Sequence, residues 1–337
     1  MLNKLRTIPF RILVTGSRGK SSLTRLVHAA FCAAGLKARG RITGVLPREL
    51  GPEGTGRVIR RTSPAHIGEM RWWLEQLPPH TEALVVENSA VAPDLQAMAA
   101  SWIQPTLTVW TTLRPDHTEA WGPGLEGAAK ALIRGVPEGG LVAAGGEVDR
   151  PALAELFRRN GNTVHFDYPP AGSTHQKVNL SLAIMAVSLC LPWADMTGLR
   201  AVLAALPPDI ADFRIIRRGE DSLASAFSAN DPESTEKLFE ETGWNAETTT
   251  LLYHHRPDRG ARLHAFLPWI AARQWKETVF TRSGPRFPLP CGRGPHWEDR
   301  LDGADGFLRW WPGRGQVFAC GNVSGWPLTF LLEQAAL

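Results

Sequence analysis

Cysteine is scarce in this chain. The four residues, Cys32, Cys190, Cys291 and Cys320, are widely separated, with no C-x-x-C pair and no Cys/His spacing suited to zinc. That argues against a disulfide framework or a structural zinc site, and makes reduced thiols and a cytoplasmic setting the expectation. No apolar stretch reaches the ~18 to 20 residues that a membrane helix needs, and Met1 to Phe10 is too short and too polar for a signal peptide. Lys and Arg form no run long enough for a nucleic-acid arm. The net charge of +4 reads as modest and spread along the chain, so no nucleic-acid partner is expected, while anionic small substrates are compatible. Internal repeats and low-complexity segments are also missing. What is plentiful is tryptophan, with thirteen residues. Pairs such as Trp72-Trp73 and Trp310-Trp311 suit core and domain-interface packing, with an acceptor surface or a protein contact as the other reading.

With 43% hydrophobic and 21% charged residues the composition is that of a folded globular protein, and 337 residues are enough for two domains with separate cores. The apolar run Arg11 to Thr15 predicts a buried strand, and Ser21 to Gly35 a helix ending at a glycine cap. Further strands are predicted at Ala83–Val86, Leu107–Trp110 and Gly140–Ala144, with helical patterns between them, an alternation that indicates a parallel sheet covered on both faces. After helical segments at Val178–Leu191 and Leu199–Leu206 the pattern breaks around Leu206-Pro-Pro-Asp209, which places a domain boundary between residues 207 and 208. The second half offers strands at Ser222–Phe227, Thr249–Tyr253, Glu277–Phe280 and Gln316–Ala319 and helices at Ser234–Thr242 and Ala261–Ala272, a smaller α/β domain. The Gly- and Pro-rich stretch Ser283 to Pro295 is the expected mobile loop.

The strongest local signal is Gly16-Ser17-Arg18-Gly19-Lys20-Ser21-Ser22, set between a predicted strand and a predicted helix. Backbone N–H groups of such a turn surround phosphate oxygens, Lys20 reaches the β and γ phosphates, and the Ser21 hydroxyl holds magnesium. The competing explanation is an incidental glycine turn, disfavoured because Gly, Lys and hydroxyl fall in order in the required strand-to-helix setting. Only two residues separate the glycines, where the common P-loop has four.

This shortened form, followed by Arg41-Ile-Thr-Gly44, resembles the Mur-ligase and folylpolyglutamate-synthase superfamily. The motifs Pro64-Ala-His-Ile-Gly-Glu69, Glu87-Asn-Ser-Ala-Val-Ala-Pro-Asp94, Arg114-Pro-Asp-His117, Phe227-Ser-Ala-Asn-Asp-Pro-Glu-Ser-Thr235, His255-Arg-Pro-Asp-Arg259 and Gly321-Asn-Val-Ser-Gly325 are similar, in order, to those of the poly-gamma-glutamate synthase ligase subunit (PgsB/CapB). The resemblance implies a P-loop Mur-ligase central domain with a mostly parallel sheet over residues 1–207, and a smaller Rossmann-like α/β C-terminal domain over 208–337. It implies nucleotide contacts from residues 16–22, Asn179, Asn230 and Asp231, and a metal site from Ser21, Thr43, Glu87 and His117, with Asp116 orienting the His. Lys20, Glu87 and His117 would carry catalysis. Glu69, Arg256, Asp258 and Arg259 are candidates for substrate contact.

Each candidate has a plainer explanation: a solvated strand end for Glu87, a surface imidazole for His117, an ordinary helix cap for Asn230 and Asp231, a surface ion pair for Arg256 and Asp258. The sequence also departs from the family. His66 stands where Asn is usual, Arg41-Ile42 replaces the usual Thr before Thr43-Gly44, and Leu132 occupies the place where several Mur-type enzymes carry a carbamylated lysine. Lys130, two residues away and so rotated by about 200 degrees on a helix, belongs on a solvated face.

The expected function is ATP- and Mg2+-dependent amide formation between a small carboxylate, glutamate or a glutamate-ended chain, and an amine, with membrane synthase subunits as possible partners. Three alternatives remain: a soluble Mur-type ligase acting on a natural-product precursor, a P-loop kinase, and a non-catalytic nucleotide-binding subunit.

Overall fold

A computed structural model describes residues 5–61, 65–115, 117–282, 296–298 and 301–335. The Ser283–Pro295 stretch, Asp116, Pro64 and Cys291 lie outside the described residues. The chain divides into two compact units, residues 1–206 and 207–337.

Strands β1 (Phe10–Thr15), β2 (Ala38–Ile42), β3 (Arg48–Leu50), β4 (Gly56–Val58), β5 (Ala83–Glu87), β6 (Leu107–Trp110), β7 (Leu141–Gly145) and β8 (Thr163–Asp167) form the first sheet, in the order β4-β3-β2-β5-β1-β6-β7-β8. The pairs from β2 through β8 are parallel, and β3 and β4 extend the edge antiparallel. The central strands are apolar throughout because both faces are covered. Ile12 and Val14 face a core shared with helices Lys20–Ala33 and His175–Cys190, while Leu13 faces the opposite core with Met70, Leu74 and Ala99. Because β1 lies between β5 and β6, the chain crosses it on the way from one neighbour to the other, and the C-terminal ends of all three meet at this reversal, where open α/β sheets bind ligands.

In the second unit β9 (Arg214–Arg218), β10 (Asp221–Ser225), β11 (Thr249–His255), β12 (Glu277–Arg282), β13 (His296–Trp297) and β14 (Gln316–Cys320) run in the order β13-β12-β11-β14-β10-β9, parallel except for β9. Leu251, Tyr253 and Phe318 face one core, Leu252 and Val317 the other, which contains Phe307 stacked on Trp326 at 5.0 Å. Of the paired tryptophans, Trp73, Trp310 and Trp311 are buried, but Trp72 is exposed. Among the described residues no helix is long and apolar enough to cross a membrane, and Cys32, Cys190 and Cys320 are free thiols.

Candidate active site

At the end of β1 the backbone turns through Gly16 (φ 120°) and Gly19 (φ 82°), left-handed values that favour glycine. A Cβ on Gly16 would lie 2.2 Å from Thr111 Oγ1, so the turn also needs the missing side chain to pass β6. The loop is anchored to the segment after β6: Ser17 N–H donates to Thr112 O at 3.0 Å, Arg18 N–H to Thr112 Oγ1 at 3.0 Å, and Arg114 N–H to Ser17 Oγ at 2.9 Å. Lys20 Nζ donates to the carbonyls of Gly16 and Ser17 at 2.7 and 3.3 Å. No side chain caps the helix that begins at Lys20, and the partial positive charge of its N-terminal end, at the turn, suits an anion. Asn179 packs here from helix His175–Cys190: a Cβ on Gly19 would lie 3.3 Å from its Oδ1.

Glu87, the buried last residue of β5, reaches the same place. Its carboxylate accepts from Ser21 Oγ at 3.1 Å, from Thr43 N–H at 2.7 Å and from Gly44 N–H at 3.3 Å. A Cβ on Gly44 would stand 2.3 Å from Ser21 Oγ, so glycine lets the two strands close on the hydroxyl. Thr43 Oγ1 is buried with no hydrogen-bond partner. A serine hydroxyl, a carboxylate and an unpaired threonine hydroxyl gathered at a P-loop are hard oxygen donors of the type magnesium takes together with phosphate oxygens, so these residues fit such an ion.

His117 is not among the partners of Glu87. It sits at φ 45°, uncommon outside glycine, with its ring edge-on to Trp121 at 5.2 Å and its Nδ1 3.5 Å from Glu119. Among the described residues no three His, Cys, Asp or Glu side chains gather around a point. Lys130 is exposed and paired with Glu126 at 2.7 Å, while Leu132 is buried in the core beneath.

Glu69 is held by two arginines. Arg41 Nη2 donates at 2.8 Å, and Arg61 donates through Nε at 3.0 Å and Nη2 at 2.9 Å. Burial works to raise the Glu69 carboxyl, but the Arg61 hydrogen bonds and charge, the His66 amide and the Arg41 charge together hold it below the ordinary value. In the second unit Asp231 caps helix Pro232–Thr242, accepting from Ser234 N–H at 2.8 Å, with Asn230 just before it. Arg256 forms a two-pronged pair with Asp258 at 2.9 and 2.6 Å, and Arg259 lies 3.8 Å from the same carboxylate. These hydrogen bonds hold the Asp258 carboxyl down.

Sequence reading overlooked Thr111 and Thr112, the wall that shapes the loop, and Arg61. The buried pair Asn88 and Gln96, joined at 2.6 Å beside Glu87, was overlooked as well. Their one sequence signal is position: Thr111 directly follows a predicted strand, and Asn88 follows Glu87.

Comparison with known proteins adds the family. Residues 14–181 match the Mur ligase middle domain, and residues 211–290 the poly-gamma-glutamate synthase CapB C-terminal domain. The capsule biosynthesis protein CapB of Bacillus anthracis is 30% identical over 303 residues, 80% of this chain and 63% of that protein. The PGA synthase CapB of Bacillus subtilis (strain 168) is 28% identical over 292 residues, 79% of this chain and 74% of its own length. In fold, the chain is similar to E. coli FolC in complex with ADP, at TM-score 0.68 and 15% identity over 99% of this chain and 91% of that one. A bifunctional folylpolyglutamate synthase/dihydrofolate synthase with Mn, AMPPNP and L-glutamate bound is similar to the same degree, at TM-score 0.68 and 15% identity, again over 99% and 91%. With its shortened P-loop, its Glu87 junction and both domain matches, the chain belongs to the Mur-ligase superfamily and carries a CapB-type C-terminal domain.

Proposed function

We propose that this protein is an ATP-dependent amide ligase acting on glutamate or a glutamate-ended chain. A substrate carboxylate oxygen attacks the γ phosphorus of ATP, the β–γ P–O bond breaks and ADP leaves. The amine nitrogen then attacks the acyl carbon, the C–O bond to phosphate breaks, and the nitrogen gives up a proton. The observation that carries the reading is the closure of Ser21, Thr43 and Glu87 at the mouth of a P-loop, which sets hard oxygen donors where the phosphates would lie.

The groups needed are those that position and neutralise charge, since phosphoryl transfer asks little covalent help of the protein. The turn 16–22 would bind phosphate through its N–H groups, Lys20 would place its charge on the transferring group, and Asn179 would border the nucleotide. A magnesium ion held by Ser21, Thr43 and Glu87 would neutralise phosphate charge; we assign His117 to the same site. In this reading residues 1–207 are the ATP-binding domain and 208–337 the C-terminal domain, and we assign Asn230 and Asp231 to nucleotide contact and Arg256, Asp258 and Arg259 to substrate contact. Similarity to the poly-gamma-glutamate synthase CapB domain supports glutamate, and to this reading we add a cytoplasmic setting with membrane synthase subunits as partners.

The test is ADP release and mass analysis of products with ATP, Mg2+ and D- or L-glutamate, with Lys20→Ala as control. We expect an amide product formed with ADP in equal amounts and a loss of at least a hundredfold in the variant. A stable phosphorylated acceptor would instead make the protein a kinase, and ADP release without amide would remove the ligase reading.

A further inference from the structure

Although Lys and Arg form no long run, one segment is rich in basic residues. Residues 37–61 hold seven basic residues, Lys37, Arg39, Arg41, Arg48, Arg57, Arg60 and Arg61, against Glu49 and Glu53, a net +5 where the whole chain carries +4. This segment includes β2, β3 and β4, the edge of the first sheet next to β5 and its terminal Glu87. Cross-strand register places Arg41 opposite Glu49 and Glu49 opposite Arg57, so all three side chains share one face. The Arg57–Glu49 contact is 2.9 Å. Arg61 joins the row through Glu69, and on this face the guanidinium groups of Arg41, Arg57 and Arg61 outnumber the two carboxylates that serve them.

Arg41 is the unusual member. Its side chain is 4% exposed, yet among the described residues its one side-chain hydrogen bond is to Glu69, a carboxylate that Arg61 also uses. Burial first, and then the neighbouring Arg61 charge, press its pKa down against the attraction of Glu69 and Glu49. A desolvated guanidinium with a half share of one carboxylate gains from a further anion, and its planar fork suits a carboxylate. Exposed ion pairs on this face are worth little in stability, so folding alone gives weak reason for so many arginines here. Arg41 also lies close to the chemistry: it is two residues before Thr43, whose N–H holds Glu87, a separation of roughly 7 Å along an extended chain.

We propose that Arg41, Arg61 and Arg57 form the seat for the non-reacting carboxylates of the glutamate-ended acyl donor, with Glu69 and Glu49 as positioning residues that aim the guanidinium groups. The proposal rests on the ligase reading for the word donor, but it is tested by binding alone. Arg57 is 80% exposed, so its substitution spares the fold.

The experiment is equilibrium binding, by tryptophan fluorescence and by calorimetry, of γ-linked tetraglutamate, glutarate and butyrate to the whole protein and to Arg57→Gln, Arg61→Gln and Arg61→Lys, with MgATP as a second ligand and thermal midpoints as a check on folding. We expect tetraglutamate to bind more tightly than glutarate and glutarate more tightly than butyrate. Arg61→Gln should weaken tetraglutamate about tenfold, the size of a lost charged hydrogen bond. Arg57→Gln should weaken it severalfold, and Arg61→Lys should fall between wild type and Arg61→Gln. MgATP should bind all variants alike, because a seat for phosphate rather than carboxylate would lose MgATP instead. Equal binding of tetraglutamate by wild type and both Gln variants, no binding by wild type, or a loss shared with MgATP overturns the proposal. Arginine-dependent binding with no amide product would leave this seat standing and remove the ligase reading; amide formation indifferent to the arginines would do the reverse.

Discussion

A methyl group on Gly16 would meet Thr111 Oγ1 at 2.2 Å and the backbone of Thr111 and Thr112 at 3.0 Å, and φ there is 120°. The hydroxyl can rotate away but the backbone cannot, so Gly16→Ala should cost about 1 to 3 kcal/mol in urea unfolding, the range for a residue forced into a rare backbone region. MgATP affinity should fall at least tenfold with it, because Ser17 and Arg18 are tied to Thr112 through the same turn. Unchanged stability and affinity would mean that the loop relaxes and that this geometry is not what binds phosphate. At this scale the P-loop residues were legible, since Gly, Lys and Ser in a strand-to-helix setting form a local pattern. Arg61 was not, because an arginine in a loop carries no mark of the carboxylate it meets.

The elements that were legible are those whose neighbours do not matter. β1, β5, β6 and β11 each carry a run of consecutive apolar or β-branched residues that is buried on both faces, so their residues alone announce a doubly covered strand. β2 reads Ala-Arg-Gly-Arg-Ile, and the arginines hide it from any search for apolar runs; it is a strand because β5 and β3 pair with it on either side, and Glu69 of another element receives its buried Arg41. β8 and β9, half-exposed and polar, were missed for a similar reason. The helix predicted from Val178 begins earlier, at His175, because the Thr174 side chain caps it by accepting from Lys177 N–H. Capping also bears on Asp231, for which a nucleotide role and a structural role were both open. Asp231→Ala should cost about 1 kcal/mol of stability in the second unit, and Asp231→Asn, an equally good cap, should restore it. MgATP titration of the Asn variant separates the roles. Wild-type affinity leaves Asp231 a cap alone, whereas a weakened one requires its charge at the nucleotide.

Across the whole molecule each unit carries a buried histidine with its pKa pushed down by burial: His28 to about 4 in the first and His254 to about 4 in the second. Their unfolded value is about 6.5, so between these values the unfolded chain binds the proton and the folded chain does not. Stability is therefore fully present above about pH 6.5 and is lost as pH falls toward 4, by on the order of 3 kcal/mol for each histidine. Urea midpoints at pH 7.5, 5.5 and 4.5 should show the decline, and His28→Gln should flatten it for the first unit. A midpoint independent of pH in this window would contradict the burial. The alternation of apolar strands with periodic helices, and a glycine turn between a strand and a helix, determined from sequence alone two α/β units and a phosphate loop, because each is encoded within some fifteen neighbouring residues. Only the tertiary structure decided that Glu87 closes on Ser21 across 66 residues, that Thr111 shapes the loop, and that Arg41 and Arg61 share Glu69. Those contacts follow from the order in which β2, β5, β1 and β6 lie side by side, and strand order is a property of the packed sheet that no local pattern contains.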